Sequence, residues 1–305
     1  MRIVHLLDFR INHGSLEPAL AQDCAYVHQP QRRHLRGRFI RIDKQHIHKI
    51  SLNIFYKIEY LSRYIFPRFK WFLMKAVCLI PAYNEERNIR EVVERTEKTG
   101  IFREIVIVDD GSKDRTAEIS KKLSSGKTKV TLISHEKNRG KGEALKTGFE
   151  YVLKKTNSDI AVIMDADMQY PPEQSGKVIE PIRSGRADFV MGFRDFRKVP
   201  FRHMLGNFVW KTSFNILFGT RLKDTNCGLM ALSRKALENV GTVYGGYIIE
   251  NAMLASMVKK GLRIEQVPVA VDYHRASGIK RGIRMVSGVL VFIIKEGLKY
   301  RLGMK

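Results

Sequence analysis

Two aspartates separated by one residue follow an apolar run in Ile163-Met-Asp-Ala-Asp-Met-Gln169. Carboxylate oxygens are the ligands that hard cations such as Mg²⁺ and Mn²⁺ prefer, and these ions keep positions open for substrate phosphates. A carboxylate pair with this spacing also occurs by chance in many chains. At the end of a strand, however, it predicts that Asp165 and Asp167 hold a divalent metal beside a nucleoside diphosphate.

Two other polar groups follow earlier apolar runs. After Ile80, the sequence places a tyrosine and a glutamate at positions 83 and 85. The ring of Tyr83 can stack on a base, and Glu85 can accept hydrogen bonds from a ribose or a base. In the next group, Asp110 could bind a ribose or a base edge. The simpler alternative is a pair of capped turns, in which Asn84 caps the helix that follows.

The elements that must position these residues alternate between β-branched apolar runs and amphipathic stretches from Met74 onward. This βαβ pattern predicts an α/β fold with a mostly parallel sheet. Ligands of such sheets bind at the carboxyl ends of the strands, where all three polar groups fall. The predicted strands are 76–80, 104–108, 130–133, 160–164 and 189–191, and the predicted helices are 85–97, 115–123, 142–154 and 172–183.

Residues 1–73 differ from the rest, since they hold six of the nine histidines and several basic clusters. We predict a basic N-terminal extension over 1–73 and a catalytic domain over 74–305. Within the extension, 49–73 mixes aromatic residues with Lys and Arg, which suits an amphipathic helix lying on a membrane. The alternatives are a helix packed on the domain, or translated sequence upstream of a true start at Met74.

The charge of the chain requires an anionic partner. The formal net charge is +23 and the sequence pI is about 10.0. Nucleic acid, anionic lipid and phosphorylated substrates all satisfy this requirement. A nucleic-acid-binding protein would place cations and stacking aromatics where this sequence has acids at strand ends, so we expect no nucleic acid partner. The three cysteines lie far apart, which predicts neither a disulfide framework nor a zinc site.

No stretch reaches the roughly 20 apolar residues that a spanning helix needs. The best stretch, Met285 to Ile294, is about half that length, and the N-terminus has no signal-peptide pattern. We therefore expect a peripheral protein on the cytoplasmic side of the membrane. The apolar stretches 203–218 and 285–300 are predicted helices that cover the cleft or lie among lipid headgroups, with ordinary core packing as an equal alternative.

Six motifs together resemble those of the inverting family 2 glycosyltransferases of the GT-A fold, and within them the polyprenol-phosphate sugar synthases of the dolichol-phosphate mannose synthase type. The resemblance covers nearly all of 74–305. It implies a GT-A domain with interfacial amphipathic helices at its C-terminal end, a nucleotide-sugar donor, and a dolichyl or polyprenyl phosphate acceptor. The motifs are Pro81-Ala-Tyr-Asn-Glu85, Val108-Asp-Asp-Gly-Ser112, Asn138-Arg-Gly-Lys-Gly142, Asp165-Ala-Asp-Met-Gln169, Asp224-Thr-Asn-Cys-Gly-Leu-Met230 and the basic stretch 274–281.

The same resemblance implies roles for individual residues. Asp165 and Asp167 would hold Mg²⁺ or Mn²⁺, and Ala166 and Gln169 would face the diphosphate or the sugar. The donor would be GDP-mannose, UDP-glucose or UDP-N-acetylglucosamine. The residues expected to hold the nucleotide are Pro81, Tyr83, Glu85, Val108 and Asp110.

Four basic residues are candidates for binding phosphates. Arg194 and Arg202 could grip the acceptor phosphate, while Arg275 and Lys280 could close over the donor diphosphate and stabilise it as it leaves. We count Arg194 and Arg275 with the two aspartates as the candidate catalytic set. Ile279 stands where the family usually has a serine, which leaves the donor preference open. For each cation the alternative is a solvated surface charge.

The acceptor decides whether a general base is needed. An ionised phosphate oxygen can attack the sugar C1 with little help, so orientation and charge stabilisation would suffice. The rival within the family transfers the sugar to a hydroxyl of a glycan or lipid, with Glu250 or a nearby acid as the base. Glu250 is equally well explained as an acid at the start of a helix.

Overall fold

The computed structural model describes residues 74–123, 128–195, 201–241, 248–272 and 283–304. The N-terminal extension, with its predicted interfacial helix, lies outside these residues. The described part is an α/β unit, as the sequence predicts. Its strands are β1 (Ala76–Ala82), β2 (Phe102–Asp109), β3 (Lys129–Ser134), β4 (Ile160–Ile163), β5 (Phe189–Arg194), β6 (Met230–Ser233) and β7 (Ile264–Val269).

The described strands form one sheet in the order β3-β2-β1-β4-β6-β5-β7. All neighbours pair in parallel except β6, which runs antiparallel to both β4 and β5. Every residue of β1 and β4 is buried. Continuous apolar burial of this kind is expected for strands covered on both faces by helices.

Eight α-helices lie in the described residues, and six of them follow predicted bounds closely. They are α1 (Ile89–Lys98), α2 (Thr116–Lys122), α3 (Lys141–Lys155), α4 (Ser175–Arg183), α5 (Phe201–Phe218), α6 (Arg234–Glu238), α7 (Ile249–Lys259) and α8 (Ile283–Arg301). A single 3₁₀ turn, Pro172–Gln174, precedes α4. Helix α1 begins four residues later than predicted, because residues 83–88 form the turn that follows β1.

The sequence patterns did not predict strands β6 and β7, nor the bounds of helices α6 and α7. Strand β6 has only four residues, and its antiparallel direction breaks the βαβ rhythm that located the others. Strand β7 contains Pro268, which cannot donate a hydrogen bond to a neighbouring strand. The sheet accommodates it because β7 is the last strand in the order and has an open edge.

Helices α5 and α8 pack against each other at their C-terminal ends. The rings of Phe218 and Tyr300 stack with centroids 5.4 Å apart. The Arg301 Nε atom donates to the carbonyl of Leu217 at 2.8 Å. Within the described residues, no helix combines the length and the apolar character needed to cross a lipid bilayer.

Candidate functional site

The carboxyl ends of β2, β1 and β4 lie side by side, because these strands are neighbours in the sheet and run in parallel. The polar groups predicted from the sequence follow those three ends. A backbone hydrogen bond from Asp110 N to the carbonyl of Ala82, 2.8 Å long, ties the first two together. Asp110 and the Asp165–Asp167 pair therefore share one rim of the sheet.

Each of the two carboxylate oxygens of Asp165 lies next to another residue of the fold. Its Oδ1 atom lies 2.7 Å from the Nζ atom of Lys141, the first residue of α3. The same ammonium lies 3.3 Å from Oε1 of Glu250 in the first turn of α7. Burial acts to lower the pKa of Lys141, but the two carboxylates outweigh it and raise that pKa above its ordinary value. Lys141 therefore stays charged and joins two acids that would otherwise repel each other.

The other side of Asp165 is bounded by Gly228. A Cβ atom at position 228 would run into Oδ2 of Asp165, and it would lie 3.1 Å from the ring of Tyr170. Any side chain at this position would have to displace the carboxylate. Gly228 belongs to the Asp224–Met230 motif, which the sequence analysis quoted without giving this glycine a role.

Asp167 has a different environment. Its Oδ1 accepts the backbone N–H of Gln169 at 3.0 Å, and its Oδ2 accepts the Gln169 side-chain amide at 2.7 Å. Burial, followed by the negative charge of Asp165, raises the pKa of Asp167 to about 7. Met168 between them has a left-handed backbone, with φ of 61°, which L-residues other than Asn and Asp rarely adopt. This turn directs Asp167 and Gln169 towards each other.

The rim carries an excess of negative charge. Besides Asp165 and Asp167, the carboxylates of Glu85 and Glu250 belong to this cluster, since Glu85 interacts with both aspartates. Burial first, and then the charge of Asp165, raise the pKa of Glu85, while a hydrogen bond from Asn88 lowers it. In the described part of the chain, the ammonium of Lys141 pairs with two of these four acids, Asp165 and Glu250.

These residues fit a hard divalent cation. The donors are carboxylate oxygens, and the excess charge favours a cation. Among the described residues, no group of three His, Cys, Asp or Glu side chains is arranged to hold a metal. Asp165 and Asp167 would thus supply part of a coordination shell, and the remaining positions would be left to water or to the oxygens of a diphosphate.

Two hydrogen bonds of Asn84 connect the loop after β1 to the loop after β2. Asn84 donates its backbone N–H to the Ser112 hydroxyl at 2.9 Å, and its side-chain oxygen accepts the N–H of Lys113, also at 2.9 Å. The expectation that Asn84 caps α1 is therefore wrong: its side chain bonds across to the neighbouring loop, and its φ of 54° is left-handed. The cap position is Asn88, whose side chain bonds to Glu85 instead.

Asp110 is buried and fully engaged with the loop after β3. Its carboxylate accepts the backbone N–H groups of Arg139, at 3.0 Å, and Gly140, at 2.7 Å. The Nδ1 atom of His135 lies 2.7 Å from Oδ1. In the described structure Asp110 thus anchors the loop that leads directly into Lys141. A direct contact with a nucleotide stays a prediction.

Arg194 lies outside the carboxylate rim. It is buried at the end of β5 and forms a bidentate pair with Asp224, with Nε–Oδ2 and Nη2–Oδ1 distances of 2.7 and 2.9 Å. Asp224 is fully buried and raises the pKa of Arg194 further above its ordinary value, against the effect of burial. The structure therefore gives this guanidinium a partner inside the fold, and its predicted grip on an acceptor phosphate finds no support in these contacts.

The other predicted residues divide into three groups. Pro81, Val108 and Ala166 are buried at the strand ends and can offer only backbone and apolar surface. Tyr83 is 39% exposed at the rim, as a stacking residue would be. Arg275 and Lys280 lie outside the described residues, and so does the side chain of Arg202 at the start of α5.

Sequence analysis missed the roles of Lys141, His135, Asp224 and Gly228. Three of them lie in motifs that were recognised, so a signal was present for them. Their charged partners, however, lie between 24 and 109 residues away in the chain; these partners are Asp165, Glu250, Asp110 and Arg194. Only the folded sheet brings these side chains together.

The chain matches the family model described as glycosyl transferase family 2 over residues 77–241. This match runs from β1 to just beyond α6 and contains Glu85, Asp165 and Asp167, whereas Glu250 follows it. One relative is the UDP-N-acetylglucosamine–dolichyl-phosphate N-acetylglucosaminyltransferase of Methanococcus voltae, which is 33% identical over 70% of this chain and 92% of its own.

A second relative is the dolichol-phosphate mannosyltransferase of Pyrococcus furiosus. It is 42% identical over 40% of this chain, and the match covers 33% of that protein. Among solved structures, the glucosyl-3-phosphoglycerate synthase of Mycobacterium tuberculosis, in complex with Mn²⁺, UDP-glucose and phosphoglyceric acid, has a TM-score of 0.62 and 22% identity. The match covers 78% of this chain and 83% of that one. This likeness shows that the two proteins share a fold.

Proposed function

The chain belongs to glycosyl transferase family 2, and from that premise we propose that it transfers a sugar from a nucleotide-sugar donor to dolichyl or polyprenyl phosphate, with a divalent metal at Asp165 and Asp167. The observation that carries the proposal is the carboxylate rim: Glu85, Asp165 and Asp167 follow neighbouring strand ends, and Lys141 links Asp165 to Glu250 in the first turn of α7. Such a site suits a metal and a diphosphate together.

The choice of acceptor rests on the relatives. The Methanococcus voltae and Pyrococcus furiosus proteins are named for transfer to dolichyl phosphate and for dolichol-phosphate mannosylation. The first name specifies UDP-N-acetylglucosamine as the donor, whereas the second specifies mannose as the sugar that is transferred. UDP-N-acetylglucosamine, UDP-glucose and GDP-mannose are therefore the donors to compare.

The reaction joins an acceptor phosphate oxygen to C1 of the sugar and breaks the bond from C1 to the donor diphosphate, with inversion at C1. The acceptor oxygen is ionised near pH 7, so no proton has to be removed. A bound Mg²⁺ or Mn²⁺ would supply positive charge to the leaving diphosphate. The chain's own residues orient the reactants: Gly228 and Lys141 fix Asp165, and Gln169 fixes Asp167.

Arg275 and Lys280 are proposed to bind the donor diphosphate. Support comes from the described residues that precede them. The N–H of Asp272 donates to the carbonyl of Gln169 at 2.9 Å. Arg275 follows three residues later. Asp272, the last described residue of this segment, thus lies beside the Asp165–Gln169 turn. A group that stabilises the leaving diphosphate has to act at this turn.

A peripheral membrane position is proposed from the surface of α5 and α8. Exposed apolar side chains recur along α8 at Val291, Ile294 and Leu298, with Leu302 just after it, and Phe208 and Ile216 are exposed on α5. The spacing on α8 places them on one helix face. Exposed Lys295 lies among them. An apolar face with a basic residue suits the interface of an anionic bilayer, where a polyprenyl tail is anchored. Its placement on the cytoplasmic side stays a prediction.

The deciding experiment incubates the purified full chain with Mn²⁺ or Mg²⁺, polyprenyl phosphate in detergent, and each of the three radiolabelled donors. We expect label in the organic phase with one donor, and none when EDTA replaces the metal. Label on a glycan or lipid hydroxyl, with polyprenyl phosphate left unmodified, would support the rival acceptor. Absence of transfer to either acceptor with every donor would refute the proposal.

Vesicle sedimentation tests the membrane surface. We expect the full chain to sediment with vesicles containing phosphatidylserine, and the double variant Val291→Ser with Leu298→Ser to sediment several-fold less. Lys146→Ser, an exposed change on α3, is the matched control and should behave as the parent chain does. Equal sedimentation of the double variant and the parent would show that this face does not contact lipid.

A further inference from the structure

Lys141 occupies a position that its own helix disfavours. It is the first residue of α3, which runs for 15 residues to Lys155. The amino end of a helix carries partial positive charge, so a cation there is unfavourable unless other groups compensate. Asp165 and Glu250 supply that compensation, at 2.7 and 3.3 Å from Nζ. The lysine is therefore held at the rim by the acids rather than by the helix.

The backbone beside Lys141 is fixed independently. Gly140 has φ of 93°, a conformation that glycine tolerates, and its N–H bonds to the buried carboxylate of Asp110. The N–H of Arg139 bonds to the same carboxylate. Lys141 thus follows a backbone segment that is fixed by Asp110, and its ammonium reaches Oδ1 of Asp165 from there.

That ammonium competes with a metal for Asp165. The carboxylate has Lys141 at Oδ1 and Gly228 packed against Oδ2. A divalent ion that uses Asp165 has to displace the lysine from its 2.7 Å contact, or bind close to its positive charge. Both routes weaken binding, since two like charges a few ångströms apart repel each other, and these side chains are only partly exposed to the water that would screen them.

We propose that Lys141 is a positioning residue that acts as an internal cation: it holds Asp165 and Glu250 together in the metal-free protein and keeps metal affinity low until the donor diphosphate arrives. The donor brings its own negative charge and its own oxygen ligands, so the metal then binds in spite of the lysine. This inference rests on the proposed function, because it assumes the metal site at Asp165 and Asp167.

The test measures Mn²⁺ affinity by calorimetry, with Mn²⁺ alone, with Mn²⁺ plus UDP and with Mn²⁺ plus GDP. We expect Lys141→Met to bind Mn²⁺ alone roughly tenfold more tightly than the parent chain. Lys146→Met removes an exposed lysine from the same helix and should leave the affinity unchanged. A lysine with a purely structural role would not tighten metal binding when it is removed.

Removing Lys141 leaves Asp165 and Glu250 facing each other, so we expect Lys141→Met to melt at a lower temperature in EDTA and to recover with Mn²⁺. If this variant does not fold in EDTA, the double variant Lys141→Met with Glu250→Gln removes the repulsion. It is then compared with Glu250→Gln alone, and tighter Mn²⁺ binding by the double variant is expected.

Two outcomes would overturn the proposal, and they are distinguishable. Unchanged or weaker Mn²⁺ binding by Lys141→Met, while the parent chain binds Mn²⁺ with a nucleotide, refutes the role of Lys141 and leaves the proposed function standing. Failure of the parent chain to bind Mn²⁺ under all three conditions refutes the metal site itself, and the inference falls with it.

Discussion

Two ionic clusters, one buried and one partly exposed, lie close together in this protein and are built in opposite ways. Arg194 and Asp224 form a closed pair, in which one guanidinium meets one carboxylate through two parallel bonds. The carboxylate rim is open, since Lys141 is shared between Asp165 and Glu250 and the acids outnumber it. Tyr170 is near both, as it lies against the Gly228–Asp165 contact and interacts with Arg194.

This difference indicates a structural role for the Arg194–Asp224 pair and a ligand-binding role for the carboxylate rim. In the closed pair, the two opposite charges neutralise each other and form hydrogen bonds within the fold, so no ligand is required to balance them. An open cluster keeps unbalanced charge, which is costly unless a cation or a proton neutralises it. Burial first, and then the unbalanced charge of Asp165, raise the pKa of Asp167 to about 7.

The largest expected effect comes from the open cluster. Asp167→Ala removes a proposed metal ligand, so we expect transfer to fall by at least roughly 10³-fold. The melting temperature should not decrease, because the change also removes a buried negative charge. Glu143→Ala, on the surface of α3, serves as the control. Transfer within threefold of the parent chain would show that Asp167 is not part of the metal site.

The closed pair should govern stability instead. Arg194→Met leaves the buried charge of Asp224 with only the backbone N–H groups of Arg194 and Asn226, and we expect the free energy of unfolding to fall by about 3–5 kcal/mol in denaturant titrations. Arg186→Met breaks an exposed arginine's pairs with Glu180 and Glu265, and should cost less than about 1 kcal/mol. A well-folded Arg194→Met protein that has lost only acceptor affinity would show that the phosphate role is right and the structural role secondary.

Gly228 offers a way to disturb the open cluster without changing its charge. Gly228→Ala pushes a methyl group into Asp165, and a displacement of about 1 Å should lower kcat/KM by roughly 10²-fold. Gly176→Ala is the matched control, because its new methyl would meet only Ile101, at 3.8 Å. Equal kcat/KM for the two variants would indicate that the position of Asp165 does not matter for transfer.

The smallest expected effect is on pH dependence. Asp167 has to be ionised to bind a metal, and its pKa is raised from 3.8 to about 7. Mn²⁺ affinity should therefore fall by up to about tenfold for each pH unit below 7 and level off above it. The Arg194 guanidinium keeps its charge throughout this range. A flat Mn²⁺ affinity from pH 5 to 8 would contradict the raised pKa.

The same shift has a consequence for stability. The folded pKa of Asp167 lies above the unfolded value, so the folded state binds more protons between about pH 4 and 7. Stability from this group is present below the unfolded pKa and is lost as the pH rises through the folded one. Metal-free Asp167→Asn should therefore lose less stability than the parent chain between pH 5 and 8, as thermal melts in EDTA would measure.

The sequence predicts the frame of the molecule better than its contacts. Buried β-branched runs located the first five strands, and their order along the chain was enough to place Asp110, Asp165 and Asp167 at one rim. Strand β6 was not predicted, because its four residues are too few to show a periodic pattern. Strand β7 was not predicted, because it contains Pro268, which is unusual within a strand. The pairing of Lys141 with Asp165 and of Arg194 with Asp224 depends on strand order across the sheet, which local patterns do not contain.

The reversed direction of β6 also decides where the chain can be altered safely. An antiparallel strand enters the sheet at the rim where its neighbours leave it, so residues 224–229 border the pocket by preceding β6. The residues that follow β6 lie at the opposite rim, where Arg234 N bonds to the carbonyl of Asp159 just before β4. Changes at exposed Glu238, after β6, should therefore leave the pocket undisturbed, whereas lengthening the segment before Met230 would reshape the wall behind Asp165.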